Sequence, residues 1–179
     1  MNNRETLERL STEDLIRLIE MNAKNWLALD GVWFQSVEQK CGMKEAMYHD
    51  EMAWRRYTVL EAKRIKEFLR LPEHPGLDGL ARALALRPYA SINDYELVRT
   101  EDSLILRNVD CRVQTARSRK GMPYHPCKSV GLVEYAGFAR TIDARIACRC
   151  LSCFPDVTDE TTACAWEFTL SESRCLSSK

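Results

Sequence analysis

Ala144-Arg-Ile-Ala-Cys-Arg-Cys-Leu-Ser-Cys153 and Ala163-Cys-Ala-Trp-Glu-Phe-Thr-Leu170 decide the fold. Both are short, apolar to alternating runs with the acidic loop Phe154 to Thr162 between them, and they read as a strand pair. A matching pair precedes them. Tyr89 to Arg99 and Ser103 to Cys111 flank Thr100-Glu101-Asp102 in the manner of a hairpin. Between the pairs, Arg112 to Lys120 reads as a helix stopped by Gly121, and Cys127 to Arg140 as another that contains two glycines.

Upstream the period changes to helical. Ser11 or Thr12 is a suitable cap, and Leu15, Ile19, Ala23, Trp26, Asp30, Trp33 and Val37 fall on one stripe that ends at Gly42. Gly31 is a potential bend, with two stacked helices as the alternative to one. A second helix, Met43 to Leu71, carries the stripe Met47, Trp54, Tyr57, Glu61, Ile65 and Phe68. The short connection makes the two antiparallel neighbours. Pro72-Glu-His-Pro-Gly76 breaks the pattern, and Leu77 to Leu86 reads as a short helix before Pro88. The expected architecture is α+β: an N-terminal helical hairpin (1–71) packed with a four-stranded antiparallel sheet and two further helices (77–170), and a disordered tail (171–179).

Twenty-six basic and 26 acidic side chains balance, so binding driven by neutralising nucleic-acid phosphates is not expected. No apolar run follows the charges at Arg4, Glu5, Glu8 and Arg9, which argues against a secretory signal. Trp26 to Phe34 is interrupted by Asp30 and falls short of the roughly 20 apolar residues of a membrane span. The expectation is a cytoplasmic protein, in which the eight cysteines stay reduced. Cys41 and Cys175 read as buried hydrophobes or neutral surface thiols.

Six cysteines lie between Cys111 and Phe168: Cys111, Cys127, Cys148, Cys150, Cys153 and Cys164. Cys150-x-x-Cys153 has the spacing of a metal knuckle, and a thiolate zinc site needs four ligands at about 2.3 Å. Cys127, Cys164, Cys111 and His125 are available to complete it. Zinc is the expected metal, with iron or an iron–sulfur cluster as the alternative; plain reduced thiols are the competing reading. A dithiol redox role for Cys150 and Cys153 is weaker, because such pairs usually occupy a helix N-terminus and this one ends a strand. His125, two residues before Cys127, is the one histidine of three near the cluster.

Charge offers a second clue. Arg112, Arg117, Arg119, Lys120 and Lys128 form a basic run without an acid, either a solvated face or a cationic mouth for a carboxylate-bearing ligand. Asp30 and Glu61 sit in apolar stripes, where an ionised carboxylate needs a partner. For Glu61 the partner expected is Arg64, one turn away. Trp26, Asp30, Trp33, Trp54, Tyr57, Glu61 and Arg112 are accordingly the candidate ligand-binding residues, although aromatic stripes are more often core. Glu-x-x-His pairs, a phosphate-binding glycine loop, a serine nucleophile elbow and His-Glu-x-x-His are all missing.

Asn25-Trp-Leu-Ala-Leu-Asp-Gly-Val-Trp-Phe34, Val109-Asp-Cys-Arg-Val-Gln114, Pro126-Cys-Lys-Ser-Val-Gly131 and Cys164-Ala-Trp-Glu-Phe168 resemble an uncharacterised bacterial family with a domain of unknown function. More distantly, the half from Tyr89 to Leu170 looks like the L-2-amino-thiazoline-4-carboxylate hydrolase family, whose cysteine landmarks Cys111, Cys127 and Cys164-x-x-x-Phe168 match in order. The closing pattern is also similar to 4-vinyl-reductase-type ligand-binding domains. These resemblances imply helices flanking an antiparallel sheet around a small-molecule pocket, in some relatives with a cysteine-bound metal. Cys153 and an extra residue in the final motif depart from them. The functional expectations are therefore a small-molecule-binding protein with a cysteine-held metal, a hydrolase of a small cyclic amidine or thiazoline-like carboxylic acid, or a partner-binding protein without metal. The tryptophans of the helical part also suit a homodimer face.

Overall fold

The computed structural model describes residues 2–171. The expectations for Cys175 and for all but the first residue of the tail fall outside them. A short helix α1 (Asn3–Glu8) is closed by a capping box in which Asn2 accepts the Glu5 amide and Glu5 reaches back to Asn2. Helix α2 (Thr12–Cys41) begins as expected, with Ser11 accepting the Asp14 amide at 3.1 Å. It runs unbroken past Gly31 and ends at Gly42, whose φ of +86° suits a residue without Cβ. Helix α3 (Met43–Phe68) starts at once and returns antiparallel to α2, forming the hairpin.

Helix α4 (Gly76–Leu84) follows the proline-rich joint. Pro88–Ser91 forms one turn of 3-10 helix, so the expected strand from Tyr89 begins only at β1 (Asp94–Arg99). Pro88 at the first position of that turn has the fixed φ that favours it. Strand β2 (Ser103–Asp110), helices α5 (Arg112–Arg119) and α6 (Lys128–Ile142), and strands β3 (Ile146–Cys153) and β4 (Cys164–Leu170) complete the chain. The sheet is antiparallel in the order β1-β2-β4-β3.

The inner face of the sheet lies under α6 and α4, and α3 packs on the far side of α6. Leu80, Leu104, Phe138, Ile142, Trp166 and Phe168 are fully buried between these layers. The outer face is polar, with Arg107 bridging Glu96 and Arg149 bridging Glu167. At the end of α6, the buried Asp143 carboxylate accepts from the Gly76 amide and from Arg145, which holds it well below its ordinary range and ties α4 to α6.

Both glycines of α6 are contact points. A Cβ on Gly131 would stand 2.4 Å from the Trp166 ring, and one on Gly137 would stand 2.8 Å from a Thr58 methyl on α3. Gly131→Ala gains about 1 kcal/mol of helix propensity. It also drives a methyl into a fully buried indole, and overpacking costs about 1–3 kcal/mol. The expected net result is a lower thermal midpoint, read by circular dichroism; a raised midpoint would mean that Trp166 gives way freely.

The stripe of α2 is kept at Ala23, which is buried, and departs from expectation elsewhere. Trp33 and Ile19 face solvent (68% and 61% exposed), and Phe34 takes the inward place beside Trp33. Glu61 is buried as expected, but its partner is Arg87 at 3.0 Å rather than Arg64. Arg64 lies on the exposed side of α3, whereas Arg87 enters between α3 and α6, where it also meets Glu134 at 2.7 Å.

Candidate active site

The loop from α5 to α6 carries His125-Pro-Cys127, and Gln114 of α5 fastens it. The Gln114 amide accepts the His125 N–H at 3.0 Å and donates to the His125 carbonyl at 2.8 Å, as a paired strand residue would. Its Nε2 also stands 3.6 Å from the Cys127 sulfur. Cys127 is the N-terminal cap residue of the 15-residue helix α6, a place where the helix dipole favours a thiolate.

The His125 ring is buried against Phe34, with centroids 4.7 Å apart. Its Nε2 meets Asp50 Oδ2 of α3 at 3.1 Å. Nδ1 makes no regular hydrogen bond, yet ring and sulfur stand close enough to shift each other's proton affinity.

Cys127 Sγ lies 3.5 Å from Cys153 Sγ. Cys153 is also paired across the sheet with Cys164, so three sulfurs form a row with Cys153 in the middle. The Cys153 S–H is the main influence that lowers the Cys127 thiol to about 5; burial opposes it and His125 assists. Cys153 itself is pushed far upward by both neighbours and stays protonated. Burial lowers His125, but Asp50 and then Cys127 outweigh it and raise the imidazole to about 9. The Cys127 thiol is thus lowered and the His125 imidazole raised, with a carboxylate orienting the ring, the group types an activated nucleophile uses.

These groups line a cavity of about 320 Å³ between α2, α3, α5, α6 and the sheet. Of the expected ligand-binding residues, Asp30, Trp54 and Arg112 line it. Trp33 does not, being on the outer side of α2. Trp26 and Tyr57 pack instead with Trp54 and Tyr89 in an aromatic cluster beside it, and Glu61 is taken by Arg87. Burial, then the nearby Asp50, lifts Asp30 to about 6. In the wall, the buried Arg117 is neutralised by a two-pronged bond to Glu38, with both contacts at 2.7 Å. Among the described residues Arg112 and Lys120 have no acidic partner, leaving two cations at the mouth.

Cys111, Cys127, Cys153 and Cys164 reach the cavity, whereas Cys150 does not. The expected Cys150–Cys153 knuckle is a strand. A bulge between Cys150 and Ser152 puts Cys153 opposite Cys164, while Cys150 stands opposite Trp166. Among the described residues, no group of three or more His, Cys, Asp or Glu is disposed to hold a metal ion. Cys111 is kept protonated by burial, at about 12.

A family model matches residues 8–170. The chain belongs to a family of unknown function, DUF6125. That membership agrees with the resemblance of its four motifs to an uncharacterised family. No curated protein and no solved structure matches the chain. Among the described residues, no helix of this DUF6125 member is long and apolar enough to cross a membrane.

Asp50 and Gln114 were not among the candidates from sequence, and His125 was noted there as an available metal ligand and for its nearness to Cys127, not as a base. Nothing in the local sequence marks Asp50, which lies 75 residues before His125. The readable signal was His125-Pro-Cys127 itself, a nucleophile and a base on one short loop just before a helix.

Proposed function

We propose that this protein is a cysteine-dependent hydrolase that cleaves a C–N bond in a small carboxylate-bearing molecule. The Cys127–His125–Asp50 arrangement at the wall of the cavity carries the reading. The Cys127 thiolate attacks the electrophilic carbon, forming a C–S bond. The C–N bond then breaks and the departing nitrogen takes the proton of His125. Water adds to the thioester-like carbon with His125, now neutral, as base, and Cys127 leaves as the thiolate. Asp50 holds the imidazole throughout. Arg112 and Lys120, held at the mouth by the neutral Ile92 carbonyl and Gln35 amide rather than by an acid, suit the carboxylate. The distant likeness to the thiazoline-carboxylate hydrolases supports this substrate class.

The test offers a panel of small cyclic amidines, thiazolines and amides, each with and without a carboxylate, and follows hydrolysis together with intact mass under acid quench. The expected result is turnover of carboxylate-bearing members with an adduct on the Cys127 peptide, lost in Cys127→Ala. Binding without an adduct would make this a ligand-binding protein instead. Hydrolysis undiminished in Cys127→Ala would remove the nucleophile from the proposal.

A further inference from the structure

We propose that Cys127 and Cys153 form a site of reversible oxidation whose oxidant is a hydroperoxide. The two sulfurs stand 3.5 Å apart. A disulfide of about 2.05 Å thus needs an approach of roughly 1.5 Å. Both sulfurs sit where an element meets a loop, Cys153 at the end of β3 and Cys127 just before α6, so a shift at an element end supplies the approach. The cavity gives a small oxidant access to Cys127. Cys164 is less available, because its sulfur accepts a bond from Asn108 at 3.1 Å. The proposal shares the Cys127 thiolate with the hydrolase reading but needs no hydrolysable substrate.

The chemistry balances in two steps. The Cys127 thiolate attacks a peroxide oxygen: an S–O bond forms, the O–O bond breaks, and the departing oxygen takes a proton to leave as water or an alcohol. Cys127 is now a sulfenic acid. The Cys153 thiol then attacks that sulfur. An S–S bond forms, the S–O bond breaks, and the hydroxyl leaves with the Cys153 proton as water. Two thiols have given up two electrons to the peroxide. A small dithiol reverses the change by exchange. While the bond stands, Cys127 cannot attack carbon, and it is shielded from irreversible over-oxidation.

The experiment treats the reduced full chain, carrying Cys41→Ser to remove an exposed thiol, with hydrogen peroxide and maps the peptides by mass spectrometry. The expected outcome is a Cys127–Cys153 link, a mass loss of two hydrogens, and loss of Cys127 alkylation, all reversed by dithiothreitol. In Cys153→Ala, dimedone is expected to trap Cys127 as the sulfenic acid. Sulfinic acid at Cys127 in the Cys41→Ser chain, a link from Cys127 to Cys164, or no oxidation at all would overturn the proposal. Should Cys153→Ala fail to fold, the peptide map of the Cys41→Ser chain alone decides. Rapid iodoacetamide alkylation of Cys127 at neutral pH without cross-linking would sink this proposal and leave the hydrolase reading standing. An inert Cys127 would remove the thiolate from both.

Discussion

In His125→Gln, the single-turnover rate of adduct formation on Cys127 is expected to fall about 10²- to 10⁴-fold. Alkylation of the same sulfur by iodoacetamide should fall far less. The difference follows from what each process asks of the imidazole. Alkylation needs only a thiolate, and the Cys153 thiol is the largest contributor to that. Cleavage of a C–N bond also needs an acid for the departing nitrogen, the role in which the proposal places the His125 imidazolium. The pH dependences should separate in the same way. As pH rises through about 5 the Cys127 thiolate forms, and both rates climb. As pH rises through about 9 His125 loses its proton, so cleavage declines while alkylation stays level. Asp50→Asn should shift the upper limb downward, because the carboxylate that stabilises the imidazolium is gone. Cleavage in His125→Gln within a few-fold of the unaltered protein would dismiss His125 as the acid.

Much of the fold was legible because its signals are local. Alternating runs closed by turn residues gave both strand pairs, and Ser11 and Gly42 bracketed α2. The misses have physical causes. Trp33 and Phe34 are adjacent aromatics, and a stripe drawn through the first puts the wrong one inside; only packing of Phe34 on His125 distinguishes them. Tyr89 to Ser91 read as strand because one turn of 3-10 helix is too short to display a period. The Cys150-x-x-Cys153 spacing promised a turn, but a bulge has no sequence period and set the two sulfurs at different stations along the sheet. The site was visible as a concentration of thiols, as His125 beside Cys127, and as the three expected residues Asp30, Trp54 and Arg112 that line the cavity. Convergence of Cys127, Cys153 and Cys164 depends on sheet register and on where α6 begins, and Asp50 arrives through the packing of α3. These are tertiary facts with no local trace.

Arg87→Met is expected to destabilise the protein by about 3–5 kcal/mol at neutral pH, the cost of removing one partner from a buried charge network. Arg87 is 3% exposed and joins Glu61 at 3.0 Å and Glu134 at 2.7 Å, with the Phe138 ring 4.8 Å from its guanidinium carbon. Methionine keeps much of the volume but strands two buried carboxylates. The sign of the pH effect is set by the carboxylates. Burial lifts Glu134 to about 7 and also raises Glu61, although Arg87 pulls both down. A carboxyl raised in the folded state binds protons more tightly there than in the unfolded chain. Its contribution to stability is thus fully present below the unfolded value and is lost as pH climbs through the folded one. For Glu134 that window runs from about 4.5 to about 7. Without Arg87 both groups rise further, so the deficit of Arg87→Met should be largest at neutral pH and should shrink towards pH 5 as the carboxyls take protons. Adding Glu61→Gln and Glu134→Gln should restore much of the loss at neutral pH, because a neutral buried set no longer needs the guanidinium. Urea denaturation of the single and triple variants at both pH values is the measurement. A deficit independent of pH, or unrelieved in the triple variant, would mean that Arg87 acts through its packing among Trp54, Tyr89, Tyr135 and Phe138 rather than through its charge.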